Sequence, residues 1–254
     1  MRNSILKYMC MRGVLVSIVA IFCLPQAANA QDFTPHSAEY KIKISVLGGR
    51  LTTRFERTDD GFTAKSVIKA TGMSRLLAHG EIHEQSWFEE HGDKIRPSRY
   101  LSSDSLSKNG TDVDLEFDWS EQLVSGMIGG EDFQTDIGGA LHDRVSLQYA
   151  LMLDLINGKY DDFYSLQDAE KLKLLSVTNV GSKSVKVPYG TFEAVGLQHR
   201  AGTSSRVTTM WFAQELGYLP VMIEQHRKGK LKVRAVLSNY VPDTADAAES
   251  VAHE

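Results

Sequence analysis

The chain has two cysteines, Cys10 and Cys23, and none after residue 30. From Gln31 onward, disulfides, a thiol nucleophile and thiolate metal sites are therefore excluded by inspection. Long apolar runs are missing too: Val14 to Leu24 is about 11 residues, well short of the roughly 20 that cross a bilayer as a helix. Nor is there an excess of positive charge, with 28 Lys and Arg against 32 Asp and Glu. That balance argues against nucleic acid or an anionic membrane as a bulk electrostatic partner. A G-x-S-x-G nucleophile elbow, an H-E-x-x-H metal motif and a phosphate-cradling glycine loop are also absent.

What is present begins with a targeting segment. Arg2, Lys7 and Arg12 form a basic n-region, Val14 to Leu24 an apolar h-region, and Ala28-Asn29-Ala30 a small-x-small cleavage site. Phe22 stands where a lipobox has a small residue before Cys23, so acylation is not expected. The segment holds three of the 28 basic residues and no acidic one, leaving 25 against 32 and a net charge near −7. These features predict an exported, periplasmic chain with one β-rich domain over 31–241. A disordered tail rich in Ala, Asp and Glu is expected over 242–254.

Between these ends the pattern is one of strands. Tyr40, Ile42, Ile44 and Val46 alternate with Lys41, Lys43 and Ser45, the period of a half-buried strand. Gly48-Gly49 and Asp59-Asp60-Gly61 supply turns, and Asn109-Gly110 reads as a tight hairpin between 102–108 and 111–119. In that second arm Val113, Leu115, Phe117 and Trp119 face one way and Asp112, Asp114, Glu116 and Asp118 the other. Strands continue over 123–128, 171–180, 184–187, 192–199, 206–212, 219–227 and 230–240. Residues 72–80 read as a short helical turn or a loop, and the stretch from Gly129-Gly130 to Gly138-Gly139 and 159–167 as a loop and a connector. Roughly a dozen strands are too many for a flat open sheet, which predicts a curled antiparallel sheet or incomplete barrel.

One clear helix interrupts this pattern, over about 143–157 in DRVSLQYALMLDLING. Asp143 is placed to accept an orphan backbone N–H at the positive end of the helix dipole, and Asn157-Gly158 is a stop. Val145, Tyr149, Met152 and Ile156 form one apolar stripe and Leu147, Leu151 and Leu155 a second. A helix apolar around most of its circumference belongs inside, against the concave face of the sheet.

Four stretches carry a resemblance: GGALHDRVSLQYAL before and into the helix, TTMWFAQELGYLPVMI from Thr208 to Ile223, the Tyr40 to Phe55 hairpin, and Gly190-Thr191-Phe192-Glu193-Ala194. They resemble the exported bacterial proteins of domain-of-unknown-function family 3108, over about Ala38 to Tyr240. The Trp-Phe…Leu-Pro-Val segment is more distantly similar to periplasmic lipoprotein carriers of the LolA and LolB type. That likeness implies a curled sheet with a helical plug over an apolar cavity, and it brings no catalytic residues with it.

The chemistry-bearing groupings are weak. His79 and His83 have i, i+4 spacing, but on a strand such positions lie about 13 Å apart and cannot share an ion. His142, Asp143 and Ser146 are triad residue types at a helix start that needs Asp143 and Ser146 as caps. No metal or cofactor is expected. Adjacent aromatics are the better lead: Trp87-Phe88 and Trp211-Phe212 must point to opposite faces, giving either an apolar cavity inside and a docking patch outside, or two covered faces. The leading reading is a carrier of a lipid, acyl chain or other hydrophobic molecule, with Leu147, Leu151, Met152, Leu155 and Trp211 lining the site. The alternatives are an envelope-assembly factor that binds a protein partner, and a hydrolase using His142 or the His79/His83 region.

Overall fold

Strands whose side chains alternate between polar and apolar need one face covered, and here a single sheet supplies most of its own cover. The computed structural model describes residues 33–243. The expected targeting segment with its cleavage site, both cysteines and the expected tail from Thr244 onward lie outside the described residues. Fifteen strands form one sheet: β1 (His36–Ile44), β2 (Leu47–Thr58), β3 (Gly61–Ala70), β4 (Glu81–His91), β5 (Lys94–Asp104), β6 (Val113–Asp118), β7 (Leu123–Ile128), β8 (Glu131–Asp136), β9 (Leu141–His142), β10 (Phe163–Asp168), β11 (Lys171–Val187), β12 (Gly190–Ala201), β13 (Arg206–Ala213), β14 (Leu219–Arg227) and β15 (Lys230–Pro242). Among the described residues one α-helix, α1 (Ser146–Ile156), lies between β9 and β10.

Each strand pairs antiparallel with its neighbour in sequence, and β1 also pairs with β15. The order is thus cyclic with one opening, between β8 and β9, and α1 follows directly after that opening. The exception to antiparallel pairing is the short β9, which lies parallel to β10. This is a curled sheet that stops short of closure.

The alternation places the turns at two ends. At one end, here the upper, lie the β1–β2, β3–β4, β10–β11, β12–β13 and β14–β15 connections and the start of α1. At the lower end lie the β2–β3, β4–β5 and β11–β12 turns and the end of α1.

The helix is buried on all sides, with every residue from Tyr149 to Leu155 inaccessible. It packs on Phe55, Phe62, Phe88 and Ile95 from one arm of the sheet and on Leu175, Leu197, Met210 and Phe212 from the other. Tyr149 stacks on Phe55 at 4.7 Å and lies 5.0 Å from Phe88. Burying each such leucine contributes about 1.5–3 kcal/mol, so α1 is the axle of the larger core. Its start follows the expected chemistry: Asp143 accepts from Val145 N–H at 2.7 Å and Ser146 N–H at 2.9 Å. Regular helix begins at Ser146, because residues 143–145 are used up in that side-chain-capped turn.

A second core contains Tyr40, Ile42, Leu237, Val185, Val187, Phe192 and Trp211. The strand β11 is broken by an irregularity between Asn179 and Ser182, and the tip of the β11–β12 hairpin reaches back to β15, where Tyr189 N–H donates to the Leu237 carbonyl at 3.2 Å. A third, on β5 to β9, holds Tyr100, Val113, Leu115, Phe117 and Leu141.

Three expectations are corrected. The Asn109-Gly110 pair is not a two-residue hairpin: β5 ends at Asp104, whose carboxylate turns the chain by accepting from Leu106 and Ser107 N–H, and the next strand starts at Val113. Gly110 is there for space, since a Cβ would lie 1.7 Å from the Asp104 carbonyl oxygen. The supposed loops at 131–136 and 163–168 are strands, β8 and β10. The first is a largely exposed edge strand carrying acidic residues, which hides the alternation.

Candidate functional site

A cleft of about 650 Å³ opens at the upper end between the first turn of α1 and the strands β10 to β14. Its floor is apolar: Leu147 from the helix, Leu166, Leu175, Met210 and Ile223 from the sheet. Strand pairing carries these residues there, with Met210 directly opposite Ile223.

Its rim is basic, with Arg144, Lys171, Lys173, Arg200, Arg206 and Arg227 against one carboxylate, Asp168. Arg144 is held by Glu84 at 3.1 Å and Asp168 at 3.6 Å, and its Nε donates to Tyr100 Oη at 3.1 Å. Lys173 is also paired with Asp168. Arg200, Arg206 and Arg227 have no ion pair among the described residues. Arg206 and Arg227 stand directly opposite each other on β13 and β14, an arrangement of like charges that repels unless an anion lies between or over them. His199 lines the same cleft, and burial pushes its imidazole down to about 4, so it is neutral near pH 7.

The residues expected to line a ligand site are divided by the structure. Leu147 borders the 650 Å³ cleft, and Leu155 borders a separate one of about 400 Å³ at the lower end of α1. Leu151 and Met152 are seated in the helix-centred core. Trp211 belongs to the second core, on the face away from Met210 and Phe212. Its ring fits against Gly196, where a Cβ would come within 2.8 Å, and Lys183 Nζ lies 3.6 Å above it. For Trp211-Phe212, then, both faces are covered. Sequence reasoning missed the arginines because each sits at a strand end that reads as ordinary solvated charge. Only the register of three strands, β12 to β14, brings Arg200, Arg206 and Arg227 together.

The residues weighed for catalysis do not form a reaction centre. Asp143 is wholly buried, caps α1 and accepts from Ser86 Oγ at 2.6 Å, and burial raises its carboxyl above the ordinary range. His142 is buried beside Tyr164, its Nδ1 without a partner, and burial lowers it to about 4. His83 pairs with Glu81 at 2.7 Å on β4, and His79 lies in the preceding loop.

The model of a protein family of unknown function, DUF3108, matches residues 36–235. The chain belongs to that family. A DUF3108 chain of this kind also has solved structural neighbours. A β-barrel-like protein of domain-of-unknown-function family 1849 from Brucella abortus is 12% identical at a TM-score of 0.57, over 83% of this chain and 98% of that one. It supports the curled β architecture and nothing finer. An exported protein with a YmcC-like fold from Bacteroides fragilis (12% identity, TM-score 0.34, 83% and 97% covered) is more remote. So is a lipoprotein from Parabacteroides distasonis (9%, 0.35, 82% and 96%). No curated protein matches. No helix among the described residues is long and apolar enough to cross a membrane.

Proposed function

We propose that this DUF3108 protein is an exported, periplasmic binder or carrier of an amphiphile, an acyl chain with an anionic end. The observation that carries the reading is the open cleft of about 650 Å³ whose floor is apolar and whose rim holds three arginines without ion pairs. An acyl chain laid over Leu147, Leu166, Leu175, Met210 and Ile223 removes apolar area from water at about 25 cal/mol per Å². The carboxylate or phosphate at its end relieves the repulsion between Arg206 and Arg227 and accepts charge-assisted hydrogen bonds from them. The affinity comes from burial and the orientation from the arginines.

A fluorescent fatty acid and the matching fatty alcohol test this with the chain from Gln31 onward. The native protein binds the acid saturably and more tightly than the alcohol. Arg206→Glu combined with Arg227→Glu weakens the acid about tenfold, or 1.4 kcal/mol, and changes the alcohol little. Absence of saturable binding by either probe would sink the proposal.

A further inference from the structure

We propose that the upper end of the sheet, at the β1–β2 and β3–β4 connections, docks on the surface of a bilayer with anionic headgroups. The inference stands on these loops and does not require the cleft to hold a ligand.

Four large apolar side chains there are almost wholly in water: Val46 at 91% exposure, Met73 at 82%, Leu76 at 72% and Leu77 at 77%. Ile44 at 43% and Leu231 at 40% extend the patch. Separate turns carry these side chains, yet they are laced together. Gly48 N–H donates to Ser74 Oγ at 2.8 Å, and Thr71 N–H to the Gly48 carbonyl at 3.0 Å. Ser45 N–H donates to the Lys232 carbonyl at 3.1 Å. The short 3-10 turn Gly72–Leu76 is thereby held beside the β1–β2 turn, with Met73, Leu76 and Leu77 pointing away from the sheet.

Charge selects the partner. Lys43, Arg75, Lys228, Lys230 and Lys232 surround these side chains, all exposed and none in an ion pair among the described residues. Glu81, the carboxylate flanking the loop, is held by Lys69 at 2.7 Å and by His83. The opposite end is acidic, with Asp59, Asp60, Asp93, Glu121 and Asp162 at or next to its turns. A chain that is acidic overall therefore still presents one basic end, and the separation of charge orients that end toward an anionic surface. Apolar side chains on loop tips within a basic ring combine the two weak attractions that together hold a protein on a bilayer: interfacial burial, and attraction to anionic lipid. A flat apolar face, as protein partners use, is not what these loops offer. The basic-rimmed cleft opens at this same end.

Co-sedimentation with vesicles tests the proposal, using the chain from Gln31 onward. The protein binds phosphatidylcholine vesicles containing about a quarter phosphatidylglycerol roughly tenfold better than phosphatidylcholine alone, and salt weakens the binding. Met73→Ser with Leu76→Ser and Leu77→Ser lowers binding to the anionic vesicles about tenfold at an unchanged melting temperature, because the replaced side chains touch little of the fold. Lys230→Glu with Lys232→Glu removes the preference for anionic lipid. Fatty-acid binding in vesicle-free solution reads the cleft separately and survives in the triple serine variant. Docking is overturned if the native chain does not sediment with anionic vesicles or if the triple variant sediments as well as native. It is also overturned if a photo-crosslinker at position 77 in cells captures one protein and no lipid.

Discussion

At the residue scale, burial has set the titration of several groups that look reactive on paper. His142 is enclosed, and burial holds its imidazole at about 4, against 6.5 for a solvated one. Between those values the unfolded chain takes up a proton that the folded chain refuses, so this histidine contributes stability that is full near pH 7 and is lost as pH falls from about 6.5 toward 4. By pH 5 the loss is about 2 kcal/mol. Asp143 and Asp154, whose carboxyls burial raises, act in the opposite direction over the acid range. The informative experiment is thus a comparison. Urea midpoints at pH 7 and pH 5 should fall less in His142→Phe than in the native chain, and equal falls would show that His142 does not titrate between the two states. The same residue separates what the sequence could show from what it could not. A histidine next to a capping aspartate and near a serine is visible in the sequence. That Asp143 faces Ser86 of another strand, 57 positions away, is a matter of packing.

At the scale of elements, α1 ties the two arms of the sheet together. Leu151 is 1% exposed within a core drawn from strands β2 to β5 on one side and β10 to β13 on the other. Leu151→Ala should lower stability by about 2–5 kcal/mol in denaturant unfolding; a loss below 1 kcal/mol would mean the helix is loosely seated. The helix was readable because two apolar stripes, Tyr149, Met152 and Ile156 with Leu147, Leu151 and Leu155, ended in Asn157-Gly158. The strand β8 was not, because an edge strand with few apolar residues gives no alternation to count; nor was β10, where the adjacent Leu166 and Gln167 are both buried and break the period of two. Likewise Leu147 and Leu155 look equivalent on the helical wheel, yet they border clefts at opposite ends of α1.

At the scale of the whole molecule, the sheet is cyclic apart from the opening between β8 and β9. Asp243 N–H donates to the Pro35 carbonyl at 2.7 Å, so the two ends of the described chain are neighbours. A circular permutant that joins these ends by a short linker and opens at Gly138-Gly139 keeps every strand pair. It should therefore melt within a few degrees of native; failure to fold would show that the β8–β9 connection itself is needed. The amino-acid sequence by itself determined the β class, the curl demanded by so many strands, and one helix too apolar to lie on a surface, since these follow from local periodicity and capping. Tertiary structure alone decided where the opening falls, that Trp211 is covered by a folded-back hairpin, and that arginines from three strands rim one cleft. It also decided that loops far apart in the chain share an apolar, basic end. Each of these depends on register and turn placement, which set neighbours across the sheet independently of distance along the chain.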